Sequence, residues 1–127
     1  MDTTARDAFA ARLAGANRLV ELAVGTRTDL AAILAARGIE IRVTDIRERA
    51  VPSNVEFVRD DLTDPDTTVY ADADALYARN LPAELQSPAR DLARTIDTPL
   101  WFTTLGMEEP VIPVDREVIP GDTLFRV

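Results

Sequence analysis

Two acids and a glycine on one stretch carry the clearest chemical signal in this chain. Glu21 and Gly25 stand four apart in Glu21-Leu22-Ala23-Val24-Gly25-Thr26-Arg27, and Asp45 follows 20 residues after Gly25 (45 − 25). A glycine closing an apolar strand lets backbone approach a ligand, and the helix after it offers free N–H groups. An acid at the end of the next strand stands where ribose hydroxyls are bound in dinucleotide and related folds. These residue types suit recognition of a nucleotide-like cofactor, and they imply no reaction.

The elements that must position them follow from the apolar pattern. Leu19, Val20, Leu22 and Val24 form a strand running into Gly25, and Thr28-Asp29 offers side-chain oxygens to cap a helix over Leu30–Arg37. Gly38 stops that helix, and Ile39, Ile41 and Val43 form the next strand, which ends at Asp45. Upstream, Thr4-Ala5-Arg6-Asp7 matches a capping box for a short helix reaching about Ala16, with Phe9 and Leu13 four apart.

Downstream, Ile46–Asn54 contains Arg47, Arg49 and Pro52 without a helical period. A loop is therefore expected where a doubly wound fold has a crossover helix, leaving part of one sheet face open. Val55–Arg59 reads as the third strand, ending in Asp60-Asp61-Leu62; Thr63–Asp72 reads as acidic loop with one helical turn after Pro65. Asp74–Ala78 is the fourth strand, followed by Arg79-Asn80-Leu81-Pro82 and a helix expected in two pieces, with Ser87-Pro88 as a fresh start and Leu85, Ala89, Leu92 and Ile96 as its apolar stripe. Leu100–Thr104 is a central strand, and Pro120-Gly121-Asp122 sits between two β-rich runs as a hairpin signal.

This order predicts one α/β domain over residues 1–127: a minimal Rossmann-like, mostly parallel sheet with right-handed crossovers and a C-terminal antiparallel hairpin. Ligands of such sheets bind at the carboxyl ends of the strands, near the switch point. That edge would gather Gly25, Asp45, Asp60, Asp61, Asn80 and Gly106.

Composition narrows the chemistry further. The net charge is −8, all 14 basic residues are arginine, and aspartate outnumbers glutamate 14 to 8. Such a surface repels itself at low salt and stays soluble when salt screens it, as in a halophile, and it disfavours a nucleic-acid partner. The absence of cysteine and histidine removes disulfides, thiol nucleophiles, Ser-His and Cys-His dyads and the usual zinc sites, and no metal site is expected. No apolar segment approaches the ~20 residues that span a bilayer, and the N-terminus lacks a basic-then-apolar signal, so a cytoplasmic protein without a membrane partner is expected. The open sheet face and the edge at Val55–Arg59 could be covered by a second copy, making a homodimer, or by another subunit.

Glu21 to Arg27 resembles motif I of S-adenosylmethionine-dependent methyltransferases, an acid followed by alternate glycines, with Gly25 kept, Ala23 a mild replacement and Arg27 a large one. More narrowly, ELAVGTRTDLA, the Asp45 strand end, FVRDDLTDP, YARNLP and LWFTTLG together resemble the archaeal uncharacterised protein family 0146, a Rossmann-like relative of those enzymes. The resemblance implies S-adenosylmethionine as cofactor: Glu21 toward its amino group, Gly25 for close backbone approach, Asp45 for both ribose hydroxyls, and Asp60 or Asp61 for the adenine amino group beside Leu62. Asn80 stands where amino-methylating enzymes carry Asn/Asp-Pro-Pro-aromatic, but Leu81 and Ala83 replace the first proline and the aromatic, so a loop or cofactor contact is expected there. Arg27 is either a holder of the cofactor's carboxylate or a solvated arginine. Three functions stay open: a methyltransferase of unidentified substrate, a non-catalytic binding or regulatory module, and, third, an NAD(P)-dependent oxidoreductase. Charge separates the last, because a pyrophosphate wants glycine-supplied N–H groups and no acid nearby.

Overall fold

Each apolar run becomes a strand of one sheet. A computed structural model describes residues 1–127, with helix α1 (Thr3–Leu13), strand β1 (Arg18–Glu21), α2 (Asp29–Ala36), β2 (Glu40–Asp45), β3 (Glu56–Arg59), β4 (Ala75–Ala78), α3 (Ala83–Thr95), β5 (Leu100–Phe102), β6 (Asp115–Ile119) and β7 (Asp122–Arg126). The sheet order is β3-β2-β1-β4-β5-β7-β6. β1 to β5 are mutually parallel, and β7 runs antiparallel to both β5 and β6. The expected fold class holds: a mostly parallel α/β sheet closed by a hairpin.

Side-chain alternation along the strands splits the core into two layers. Leu19, Ile41, Val43 and Tyr77 pack under α1 and α2, against Phe9, Leu13, Leu30 and Leu34. Val20, Leu76, Leu100 and Phe102 face the other way, against Ala89, Leu92 and Ala93 of α3 and against Tyr70. The same period puts Glu21, two residues after Leu19, on the α1/α2 face. The sequence order reverses between β1 and β4, which makes their carboxyl ends the switch point.

Several local expectations are corrected. Asp2, not the Thr4 box, caps α1: its carboxylate accepts the Ala5 N–H at 2.8 Å. Thr28 makes no side-chain cap on α2, and the Asp29 carboxylate beside it is bound by arginines rather than by helix N–H groups. The expected break at Ser87-Pro88 does not occur; α3 is one helix with Pro88 in its interior, and Pro82 stands at its N-cap. Docking of Gln86, Ala89, Leu92 and Ala93 onto the sheet outweighs the N–H that Pro88 lacks.

The crossover helix between β2 and β3 is missing, as the pattern of residues 46–54 indicated. Between β3 and β4 only a 3-10 turn, Thr67–Val69, remains. Beside it Arg42 reaches across, binding the Glu56 carboxylate and the Val69 carbonyl. This corner contains a cleft of about 190 Å³ at the amino ends of β1 and β2. No helix is long and apolar enough to cross a membrane.

The hairpin turn is packed against the first helix. Gly121 has φ +84°, and a Cβ there would stand 3.2 Å from Asp2 Oδ1 and 3.3 Å from the Ala5 Cβ. Gly121→Ala should therefore combine left-handed backbone strain with disturbance of the α1 cap, and cost about 2 kcal/mol in denaturant unfolding, more than the ~1 kcal/mol expected for Asp2→Ala.

Candidate functional site

At the switch point the chain leaves β1 through residues 22–28, a turn in which two residues take left-handed backbone, Ala23 (φ +50°) and Gly25 (φ +63°). The turn is held to both neighbouring strands: the Leu22 N–H donates to the Tyr77 carbonyl at 2.8 Å and the Val24 N–H to the Thr44 carbonyl at 3.0 Å. These bonds fix its approach to the strand ends. Ala23 occupies one motif glycine position in a conformation glycine adopts more easily, which explains how the motif survives there at a cost.

Asp45 is drawn into this turn. Its Oδ2 accepts the Gly25 N–H at 2.8 Å and its Oδ1 the Arg47 N–H at 2.9 Å, while the Arg49 guanidinium stands 3.4 Å from Oδ1. The side chain is 8 % exposed. Gly25 and Asp45, paired on sequence spacing, are thus in direct contact. Donors on two sides fix the carboxylate, and its remaining lone pairs can still accept hydroxyls.

Glu21 is 1 % exposed, and one of its carboxylate oxygens, Oε1, has no partner. Burial pushes the carboxyl up to about 8, against the opposing pull of the Arg79 charge and the Tyr77 hydroxyl. Arg79 follows β4 with its side chain 5 % exposed, and its Nη2 donates to the Arg27 carbonyl at 3.0 Å and to Asp29 Oδ1 at 2.5 Å. Asp29 also receives Arg6 at 3.3 Å. Burial raises the Asp29 carboxyl, but the Arg79 hydrogen bond and charge, with Arg6, bring it down to about 2.

The other candidates serve their own loops. Asp60 accepts the Tyr70 hydroxyl at 2.5 Å and the Asp66 N–H at 3.1 Å. Asp61 accepts the Thr63 N–H at 2.9 Å and its hydroxyl at 2.7 Å, and these bonds hold its carboxyl below the usual range. Asn80 is left-handed (φ +53°), and its N–H donates to Thr103 Oγ1 at 3.0 Å. Glu21, Gly25 and Asp45 are brought together; Asp60 and Asp61 brace the loop after β3. Arg27 is half exposed and donates to the Met1 carbonyl at 3.0 Å.

Sequence reasoning missed Arg79 and Tyr77. Their signal was the strand period, since Tyr77 pairs in register with Glu21 and Arg79 lies two residues on, on the same face. The cleft of about 190 Å³ beside β1 and β2, by contrast, lies at the opposite end of the strands and shares no residue with this group.

Two outcomes follow from this geometry. Glu21 holds its proton more tightly folded than unfolded, so its contribution is complete below about pH 4.5 and lost as pH rises toward 8; Asp29 works in the opposite sense, its contribution present above about pH 3.8 and lost toward pH 2. Melting temperature in concentrated KCl should fall between pH 5 and 8, and Glu21→Gln should flatten that fall, by on the order of 4 kcal/mol across the window. Ala23→Gly should stabilise by about 1 kcal/mol in urea unfolding, since glycine accepts the left-handed backbone without strain.

Comparison with known proteins places this chain in a family. A UPF0146 protein of Halobacterium salinarum is 46 % identical over 117 residues, covering 91 % of each chain, and one of Pyrococcus horikoshii is 35 % identical over 92 residues, covering 69 % of this chain and 70 % of that one. Among solved structures, an RNA methyltransferase from Salinibacter ruber in complex with S-adenosyl-L-homocysteine aligns with TM-score 0.68 at 18 % identity, covering 99 % of this chain and 90 % of that one. A TehB-like SAM-dependent methyltransferase from Corynebacterium glutamicum aligns with TM-score 0.66 at 13 % identity, covering 98 % and 86 %. The fold is therefore Rossmann-like, of the kind seen in methyltransferases. The model of the uncharacterised protein family UPF0146 matches residues 4–125, and the chain belongs to that family.

Proposed function

We propose that the protein binds S-adenosylmethionine at the carboxyl ends of β1, β2 and β4. The observation that carries this reading is the Glu21 carboxyl, buried at the switch point with Oε1 unpartnered, beside a glycine turn already joined to the β2 acid. A buried carboxyl without a partner is costly unless something supplies a donor, and the ammonium of the methionine portion is such a donor. Asp45 has acceptor capacity left for ribose hydroxyls. The solved neighbours described as an RNA methyltransferase in complex with S-adenosyl-L-homocysteine and as a SAM-dependent methyltransferase share this fold, which supports the cofactor class.

A bound cofactor of this kind supplies an electrophilic methyl group on sulfur. The chain's own part is to hold and orient it: Gly25 and Ala23 set the backbone, Asp45 fixes the turn, and Glu21 offers a buried acceptor. No histidine, cysteine or lysine is present to serve as base, so transfer to an acceptor would rest on positioning. A second reading, a non-catalytic binding module, is favoured by Leu81, which is 1 % exposed in the core where amino-methylating enzymes carry the first proline of their acceptor motif. The dinucleotide reading is disfavoured because the Gly25 amide that a pyrophosphate needs is taken by a carboxylate.

Thermal-shift titration in concentrated KCl tests the proposal. S-adenosylmethionine or its demethylated product at a hundred times Kd should stabilise by about 2.7 kcal/mol, a rise on the order of 10 °C, while NADH should leave the midpoint unmoved. Asp45→Ala should abolish the shift, whatever it does to the starting midpoint. No shift with either sulfur ligand at millimolar concentration would remove the proposal. Transfer of a labelled methyl group to a component of cell extract separates the enzyme from the module.

A further inference from the structure

Three buried polar groups meet on the α1/α2 face of the switch point, and each has one atom left over. Glu21 and Tyr77 are register partners on β1 and β4, and Arg79 follows Tyr77 by two residues. Glu21 is 1 % exposed, Tyr77 is fully buried and the Arg79 side chain is 5 % exposed. Glu21 Oε1, Tyr77 Oη and Arg79 Nη1 make no hydrogen bond of ordinary geometry, although the Tyr77 hydroxyl lies near enough to Glu21 to pull its carboxyl down. The Arg79 charge acts on Glu21, yet the two close no ion pair; the guanidinium spends Nη2 on Asp29 and on the Arg27 carbonyl.

An unpaired N–H of a buried guanidinium and an unpaired oxygen of a buried carboxyl are each expensive, and native structures seldom leave such groups unmatched. A group that accepts on one side and donates on the other would satisfy both. An α-amino-acid group has that polarity: its carboxylate accepts from Arg79 Nη1 and from the Tyr77 hydroxyl, and its ammonium donates to Glu21 Oε1. Arg79 is also pre-set for this role. Its Nη2 contacts and the Arg6–Asp29 pair hold the guanidinium, so little side-chain entropy remains to be lost on binding.

We propose that Arg79 is the carboxylate-recognising residue of this site, and that Glu21, Tyr77 and Arg79 together select ligands carrying a free α-amino-acid group. This rests on the S-adenosylmethionine reading and adds to it the residue that reads the carboxylate. Arg27, the arginine that the sequence offers for that task, is half exposed and donates to the Met1 carbonyl. The guanidinium with a free N–H is the buried one, on the neighbouring strand end.

The test is calorimetric titration of the full chain in concentrated KCl with S-adenosylmethionine, with its decarboxylated form and with 5′-methylthioadenosine. The first two ligands differ only in the carboxylate, so the wild-type protein alone decides, even should a variant fail to fold. S-adenosylmethionine should bind at least about tenfold more tightly than the decarboxylated form, and Arg79→Gln should bring that ratio near one while leaving affinity for 5′-methylthioadenosine within about twofold. Equal affinity of the first two ligands for the wild-type protein overturns the inference. In that outcome the cofactor reading survives. If none of the three ligands binds, the cofactor reading falls and takes this inference with it.

Discussion

The Gly25 N–H donated to the Asp45 carboxylate is the contact on which the carboxyl edge depends. It ties the turn after β1 to the end of β2 across the strand ends, and the Arg47 amide and Arg49 guanidinium fix the carboxylate from behind. A left-handed glycine and a nearly buried acid thereby hold each other in place. Without the acid the amide would lose its acceptor; without the left-handed turn it would not be presented to β2. The positions of Ala23, Glu21 and Arg79 follow from this, since the turn that they flank is fixed at both ends.

The ionisable groups beneath the turn run in a series: Glu21, then Arg79, Asp29 and Arg6. Asp29 is strongly paired and kept ionised, whereas burial of Glu21 outweighs the pull of Arg79 and Tyr77 and keeps it protonated near neutral pH. Two carboxyls reached by the same arginine are thus pushed in opposite directions by burial and pairing. High salt screens the exposed pairs of the surface far more than the Glu21–Arg79 end of this series, which is almost wholly buried, while Asp29 and Arg6 stay partly accessible.

Much of the architecture was legible because the strands are short apolar runs punctuated by Gly25, Gly38 and Gly121, and because the lost crossover left a stretch with no period. What was not legible has specific causes. Pro88 reads as a helix start in isolation, and docking of the helix onto the sheet overrides it. Thr28 reads as a cap, but its neighbour Asp29 is committed to arginines from β4 and α1, which no local window contains. The Asp45–Gly25 pair was accessible because motif spacing encodes it. Arg79 was not, since its importance arises from register pairing between β1 and β4, strands more than fifty residues apart in sequence.

Arginine is the only cation of this chain, and several of these side chains do more than balance charge. Arg27, Arg42, Arg59 and Arg79 each donate to a backbone carbonyl of a distant turn or terminus: Met1, Val69, Ile46 and Arg27 in turn. A chain that drops crossover helices exposes carbonyl groups that a helix would have satisfied within itself. The forked guanidinium can serve such a carbonyl and a carboxylate at once, as Arg42 and Arg79 do. Ile46 and Val69 lie in the two connections that lack a crossover helix, so there the reach and donor number of Arg59 and Arg42 stand in for missing secondary structure.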